Sequence, residues 1–344
     1  MNEDKLPTIK EIAKRLNVSV STVSRALHDH PGIGLRTKTR VQELARELDY
    51  QPNQAAIFFK QRKTFTIGVV LPNLKEEFFS EAINGIEEIA TQHKYSVLIS
   101  QSRDDIEREK QIIATMRNNR VDGIIASLGA NTTSYEHFTS LKKYGIPIVF
   151  FDRVPSLPEF NKVYSNMNSG TREAIELLIE KGHRRIGVLN GPEKMRSSKE
   201  RTETYKQVLI KKRLKIDLGL VTSTDLTRQG THEAMKQLLS QRPRPTAILA
   251  INDYIALDAM QYARQQKLKI GKDICFVSYA NLPITSYLEH PPMASVEQYP
   301  YQQGAKAAEI LIQLLHKPEN EKPVEPETFQ NVVINGQLVI HSKR

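Results

Sequence analysis

A single cysteine, Cys275, in 344 residues leaves no partner for an internal disulfide and no basis for a multi-cysteine metal site. The nine histidines show no paired ligand spacing and read as surface or structural residues, so neither a metal nor a cofactor is expected. No apolar run approaches the roughly 18 residues that a bilayer-crossing helix needs. The opening residues, "MNEDKLPTIK", lack the apolar core of a secretory leader, and a cytoplasmic location is expected. Glycine patterns of the Gly-x-Gly-x-x-Gly, P-loop or nucleophile-elbow type are also missing. Ser, His and Asp occur, but nothing places a base beside a nucleophile. An enzyme is therefore disfavoured.

What is present is an ordinary globular composition, 39% hydrophobic and 26% charged. The length is too great for one core and implies two or three domains. Net charge is +10, and its distribution says more than its size. Residues 1–63 hold 12 Lys or Arg against 7 Asp or Glu, an excess of 5 and half of the total. A basic head favours a polyanion through counterion release. Charge alone does not separate that reading from a merely solvated basic face.

"PTIKEIAKRLNVSVSTVSRALHDHP" divides into two short helices. Thr8 caps the first, with Glu11 three residues on as the partner of a capping box. Ile9, Ile12, Ala13 and Leu16 share its inner face. "NVS" turns the chain, and Ser19 caps a second helix whose inward residues are Val23, Ala26 and Leu27. A third helix, about Thr37 to Leu48, adds Val41, Leu44, Ala45 and Leu48. This is helix-turn-helix spacing. The outward residues at the start of the second helix are Val20, Ser21 and Thr22, then Ser24 and Arg25, where a recognition helix meets base edges. Arg25 suits a bidentate guanine contact, Ser21 a donor or acceptor and Val20 a thymine methyl. An amphipathic packing pair is the bland alternative.

From Thr64 onward, short apolar runs alternate with helical stretches: "FTIGVVLP", "YSVLISQS", "VDGIIAS" and "GIPIVFFD", then, after "KVYSNM", "RRIGVLNG", "TAILAIN" and "ICFVSY". Continuously apolar strands separated by helices mean parallel sheets covered on both faces. Two such sets of about 100 residues predict two doubly wound lobes. Ligands in such folds sit beyond the strand carboxyl ends. The residues there are "PNLKEEFF", "FDR" at 151–153, "NGPEKMRSSKER", "IND" at 251–253 and "SYAN" at 278–281. A cleft that closes between two lobes is a natural sensor.

Specific residues carry the reading further. Ile12-Ala13, Val18-Ser19, Thr22-Val23-Ser24-Arg25, Thr37, Arg40-Val41 and Tyr50-x-Pro52-Asn53 resemble the DNA-binding head of the LacI/GalR family of bacterial transcription regulators. "GIPIVFFDR", "KGHRRIGVLNGP", "RPTAILAINDYIALDAM" and "PPMASVEQYPYQQGAKAAEILIQLL" resemble that family's effector domain, which is related to periplasmic sugar-binding proteins. The resemblance implies a small all-α helix-turn-helix head at 1–49, a hinge helix and linker at 50–63 and an α/β periplasmic-binding-protein-like body. In that body, 64–163 with 295–325 would form the first lobe and 164–294 with 326–344 the second. It further implies a homodimer, more a repressor than an activator, that reads double-stranded operator DNA of pseudo-palindromic sequence, with no membrane partner. Thr8, Ser19, Thr37 and Tyr50 join Val20, Ser21, Thr22, Ser24 and Arg25 as expected DNA-contacting residues.

By position, Phe79, Asp152, Arg201 and Asn252 would face an effector, with Asn281 at a further ligand position. Arg201 would donate to ligand oxygens, and Asp152 and Asn252 would bind hydroxyls. Asp152 as a structural turn and Asp253 as a helix cap are the bland readings. Several departures stand out. Gly34 and Leu35 replace a helix-capping Ser. Ala280 and Asn281 stand where the family has two acids, and Leu226 stands where many members stack an aromatic. Their loss argues against a plain hexose or purine held in the usual way. The effector is expected to be a sugar, phosphosugar or nucleoside-like molecule, or else a phosphorylated carrier protein acting as co-effector. A nutrient-capture binding protein is opposed by the head.

"YQPNQAAIFFK" is the remaining puzzle, since two phenylalanines sit where a linker should be polar. The family resemblance implies a hinge helix, in which Asn53, Gln54 and Ala56 face the minor groove or the partner hinge. Lys60, Arg62 and Lys63 would meet phosphates. Phe59 takes the position of a Leu that wedges between base pairs, a use of apolar side chains that bends DNA. Phe58 is expected to pack on the first strand of the body.

Overall fold

The computed structural model describes residues 7–51, 63–316 and 328–341. The chain divides into two compact units, Met1–Thr64 and Phe65–Arg344. No helix among the described residues is long and apolar enough to cross a membrane.

The first unit holds α1 (Ile9–Leu16), α2 (Val20–Leu27) and α3 (Leu35–Glu47). Thr8 Oγ1 accepts from the Glu11 amide at 3.3 Å, and Ser19 Oγ accepts from the Thr22 amide at 3.0 Å, so each helix start satisfies one of its free donors. The carboxylate of Glu11 turns to Arg15 at 2.7 Å, an exposed i,i+4 pair, and not back to the cap. Asn17, at φ 52°, closes α1 in the left-handed conformation that Asn tolerates. Ile12, Ala13, Val23, Ala26, Val41 and Ala45 form a small shared core. α3 starts two residues before the expected Thr37, because the amides of Thr37 and Lys38 both bond the Gly34 carbonyl, at 3.0 and 3.1 Å. Gly34 offers no capping side chain, and Leu35 behind it is exposed.

The second unit is built on two six-stranded sheets. The first runs β11-β5-β4-β3-β1-β2, with every pair parallel. Its strands are β1 (Thr66–Leu71), β2 (Ser96–Gln101), β3 (Gly123–Ala126), β4 (Ile148–Phe151), β5 (Asn161–Asn166) and β11 (Asn331–Asn335). Helices α4 (Glu77–Gln92), α5 (Ile106–Asn118), α6 (Glu136–Thr139) and α11 (Pro300–Leu315) cover it. Successive β1 residues serve opposite cores. Ile67, Val69 and Leu71 pack with α4 and α11, whereas Val70 packs with Ile113 and Met116 of α5. That double burial is why the strand reads as uninterrupted apolar sequence.

The second sheet runs β12-β10-β9-β8-β6-β7. Its strands are β6 (Ile186–Asn190), β7 (Val221–Ser223), β8 (Ala247–Ala250), β9 (Cys275–Tyr279), β10 (Ala294–Glu297) and β12 (Gln337–Ile340), the last antiparallel to β10. Helices α7 (Met167–Glu180), α8 (Arg196–Lys211), α9 (Arg228–Ser240) and α10 (Asp253–Gln265) flank it.

Lobe boundaries differ from the sequence expectation at three places. β5 continues to Asn166, β10 belongs with β9, and residues 326–344 do not lie wholly in the second lobe. β11 pairs with β5 of the first sheet, and only β12 joins the second. "NVVINGQLVI" looks like one strand, but the chain changes sheets at Gly336. There a Cβ would lie 2.8 Å from the Glu297 carbonyl oxygen, so the crossing segments touch backbone to backbone.

Candidate functional site

At the start of α2 the Ser19 hydroxyl lies 2.8 Å from the hydroxyls of both Ser21 and Thr22. This cap closes the first turn, with Val23 and Ala26 turned into the core. Val20 is 42% exposed, although β-branched and apolar, and Ser21 and Arg25 are also exposed. Thr22 and Ser24 are half-buried beside them. Thr8 is exposed, while Thr37 is half-buried in the first turn of α3. Tyr50 packs against the small core, and its amide bonds the Ala45 carbonyl at 2.8 Å. Asn53, Gln54, Ala56 and Phe59 lie outside the described residues, as do Phe58, Lys60 and Arg62.

In the second unit a cavity of about 180 Å³ lies among the carboxyl ends of both sheets. Four of the five expected effector residues converge on it: Phe79 on α4, Asp152 after β4, Arg201 on α8 and Asn252 after β8. Asn281 does not line it. Its side-chain NH2 donates to Glu297 at 3.0 Å, its carbonyl oxygen lies 3.1 Å from His341 Nε2, and its backbone amide donates to Ser295 Oγ at 2.9 Å. Left-handed backbone at Ala280 (φ 90°) and Asn281 (φ 48°) turns the chain so that Ala280 faces the cavity and Asn281 secures the sheet edge.

Asp152 (φ 56°) and Leu226 (φ 68°) share that uncommon conformation and also line the cavity. Three non-glycine residues are thus held in left-handed backbone around this cavity, a conformation that persists where its surroundings enforce it.

The first lobe contributes acidic groups. Burial pushes the Asp152 carboxyl up to about 6, partly opposed by Arg153 and by a 3.4 Å hydrogen bond from Ser127. Burial also raises Glu76 next to it. Arg153 is anchored by Asp104 at 2.9 Å, and its guanidinium lies 5.9 Å from the Phe79 ring centre. Behind the wall, Glu109 of α5 is 1% exposed. It accepts from the Gly129 amide at 3.0 Å and the Thr132 hydroxyl at 3.0 Å, and meets His137 Nε2 at 2.9 Å. One buried carboxylate thus fixes the loop after β3, a part of the cavity wall.

Across the cleft, Arg201 is 1% exposed. Its Nη1 donates to Asn190 Oδ1 at 2.9 Å and its guanidinium lies 4.5 Å from the Tyr279 ring centre. Arg196 pairs with Glu200 at 2.7 Å and lies over Tyr164 of the opposite lobe at 4.8 Å. Asn252, and not Asp253, caps α10, its Oδ1 accepting from the Ile255 amide at 2.8 Å. Asp253 is wholly buried and accepts from Ser278 Oγ, Ser295 Oγ and the Leu282 amide, which joins β9, β10 and the following loop.

Glu76, Arg153, Arg196 and Tyr164 were not singled out from sequence. The first three lie in the stretches "PNLKEEFF", "FDR" and "NGPEKMRSSKER" at the carboxyl ends of strands. Which of several adjacent charges faces inward depends on turn geometry that those strings do not encode.

Residues 64–341 match the family model described as periplasmic binding proteins and sugar binding domain of LacI family. Residues 8–53 match that for bacterial regulatory proteins, lacI family. Catabolite control protein A of Priestia megaterium is 30% identical across 90% of this chain and 93% of its own. The HTH-type transcriptional repressor CytR of Escherichia coli strain K12 is 32% identical across 89% of each. The solved structure of the lac repressor dimer bound to operator and the anti-inducer ONPF aligns with a TM-score of 0.81 at 25% identity, across 97% of this chain and 98% of that one. A helix-turn-helix head and a two-sheet body with a ligand-sized cleft, matched over both parts, establish that this chain belongs to the LacI family of bacterial regulatory proteins.

Proposed function

We propose that the protein is a cytoplasmic transcriptional repressor that binds a pseudo-palindromic operator as a homodimer and answers to a small molecule in the interlobe cleft. The observation that carries this reading is the cavity enclosed by residues of both sheets in a chain that also presents a capped recognition helix. A ligand touching Phe79 and Asp152 on one side and Arg201 and Asn252 on the other binds one lobe arrangement better than any other. It therefore shifts the population toward that arrangement. In a dimer the shift changes how well two heads match two half-sites. At about 180 Å³ the cavity is below the 300–1,000 Å³ of drug-sized sites and suits a molecule near the size of one sugar ring. Val20, Ser21 and Arg25 would read base edges, with Thr8, Ser19 and Thr37 toward phosphates.

The test is to select bound fragments from genomic DNA and then titrate the complex with sugars, sugar derivatives and nucleosides while following fluorescence anisotropy. A two-fold related motif released, or bound more tightly, by a small molecule supports the proposal. Fragments without a shared motif, or turnover of any compound in the panel, would overturn it.

A further inference from the structure

Arg201 presents an unresolved charge. Its side chain is buried to 1% exposure, and among the described residues no carboxylate lies within ion-pairing distance. Among the described residues its Nε has no hydrogen-bond partner, and the guanidinium meets only the neutral amide of Asn190 and the face of Tyr279. Among the described residues, none of the acids that line the same cavity pairs with Arg201. Glu200 holds Arg196 at 2.7 Å, while Asp152 and Glu76 lie within the field of Arg153 in the opposite lobe. Next to Tyr279, at the carboxyl end of β9, the chain places the methyl group of Ala280, with Asn281 turned away to Glu297 and His341. A buried guanidinium without a counter-charge is costly, and a donor left open in a cavity wall points to the group that completes it.

We propose that the effector is an acid: a monosaccharide-sized sugar acid whose carboxylate pairs with Arg201. This deepens the sensor reading given above and rests on it. The planar guanidinium offers a fork of donors matched to the two oxygens of a carboxylate, and exclusion of water strengthens that pair. Asp152 and Asn252 remain available to the hydroxyls, and the ring of Phe79 forms an apolar wall.

Melting temperature of the full-length protein is the first readout and operator affinity the second. The probes are matched pairs: D-glucose with D-glucuronate and D-gluconate, D-galactose with D-galacturonate, and D-glucose 6-phosphate as the phosphate arm. An acid that binds raises Tm by about 5 °C at a hundredfold excess over Kd, while its neutral parent leaves Tm unchanged. Arg201→Gln abolishes that response. Ala280→Asp supplies an internal carboxylate, raises Tm without ligand and weakens acid binding at least tenfold. If Arg201→Gln does not fold, Ala280→Asp alone decides, and an undiminished acid response in it overturns the proposal. Neutral sugars matching their acids, or a response to the phosphate ester alone, would reject the sugar acid while leaving the cleft a sensor. No response to any compound, in Tm or in operator binding, would sink both readings.

Discussion

Gly85 on α4 and Gly304 on α11 bring those helices into backbone contact. A Cβ on Gly85 would lie 2.2 Å from the Tyr301 carbonyl oxygen, and one on Gly304 would lie 2.0 Å from that of Ala82. Side chains would force the helices apart and reopen the core formed by Phe79, Ile86, Ala307 and Leu311. Gly304→Ala is expected to destabilise the body by about 1–3 kcal/mol, the usual range for overpacking, although Ala is the better helix former by about 1 kcal/mol. Urea denaturation checks this. A more stable variant would mean that the contact yields easily.

Glu109 is the second test. Glu109→Ala leaves the Gly129 amide and the Thr132 hydroxyl without their acceptor and removes the partner of His137. Loss of about 3 kcal/mol is expected, in line with breaking a buried polar network. Hydrogen exchange should rise first in the loop around Gly129. Uniform loss of protection across the whole body would argue against a local role.

Asp152 makes stability depend on pH. Its folded value of about 6 lies above its ordinary 3.8, so between those values the folded protein keeps a proton that the unfolded chain has lost. Stability therefore falls as pH rises from about 4 to 6, and the ionised carboxylate remains a fixed cost above that. Asp152→Asn tolerates the same left-handed backbone and should stabilise the protein by about 1–3 kcal/mol at pH 7.5, with no gain at pH 4. Melting curves of both proteins across pH 4–8 give the answer. A pH-independent difference would exclude titration of this carboxyl as the cause.

Arg25 is expected to carry sequence discrimination. Arg25→Ala should narrow the gap between operator and random DNA by about 1–3 kcal/mol, roughly fivefold to 150-fold. Non-specific binding should stay steeply salt-dependent, because phosphate contacts remain. Equal weakening on both DNAs would reassign Arg25 to the phosphate backbone.

Phe59 is expected to wedge into the centre of the operator, a proposal that rests on the family register. Phe59→Ala should reduce DNA bending in a circular-permutation gel assay, with little change in the melting of the body. Unchanged bending would remove the wedge.

Much of this organisation was legible from local signals. Thr8 and Ser19 announced two helix starts because capping is an interaction over three residues, and the structure forms both bonds. Uninterrupted runs such as "TIGVVL" and "AILA" announced strands buried on both faces. Less was visible where short elements lack a pattern of their own. β7, at Val221–Ser223, has three residues and no apolar run, and β5 includes Asn161, Lys162 and Asn166. Likewise Asn252 and Asp253 are neighbours whose roles, cap and buried tie, depend on which faces Ser278 and Ser295 across the sheet.

By sequence alone the chain specifies most of its longer elements, its two-part organisation and its family, because capping, hydrophobic period and motif order act over a few residues or survive as linear patterns. Tertiary structure decides which side chains share a space. It turns Ala280 toward the cavity and Asn281 away, divides "NVVINGQLVI" between two sheets at Gly336, and leaves Arg201 buried with no carboxylate paired to it among the described residues. Those outcomes depend on backbone direction at single residues and on charges brought together from distant segments. Burial and Coulomb interactions are set by distance in space, and separation along the chain carries no record of it.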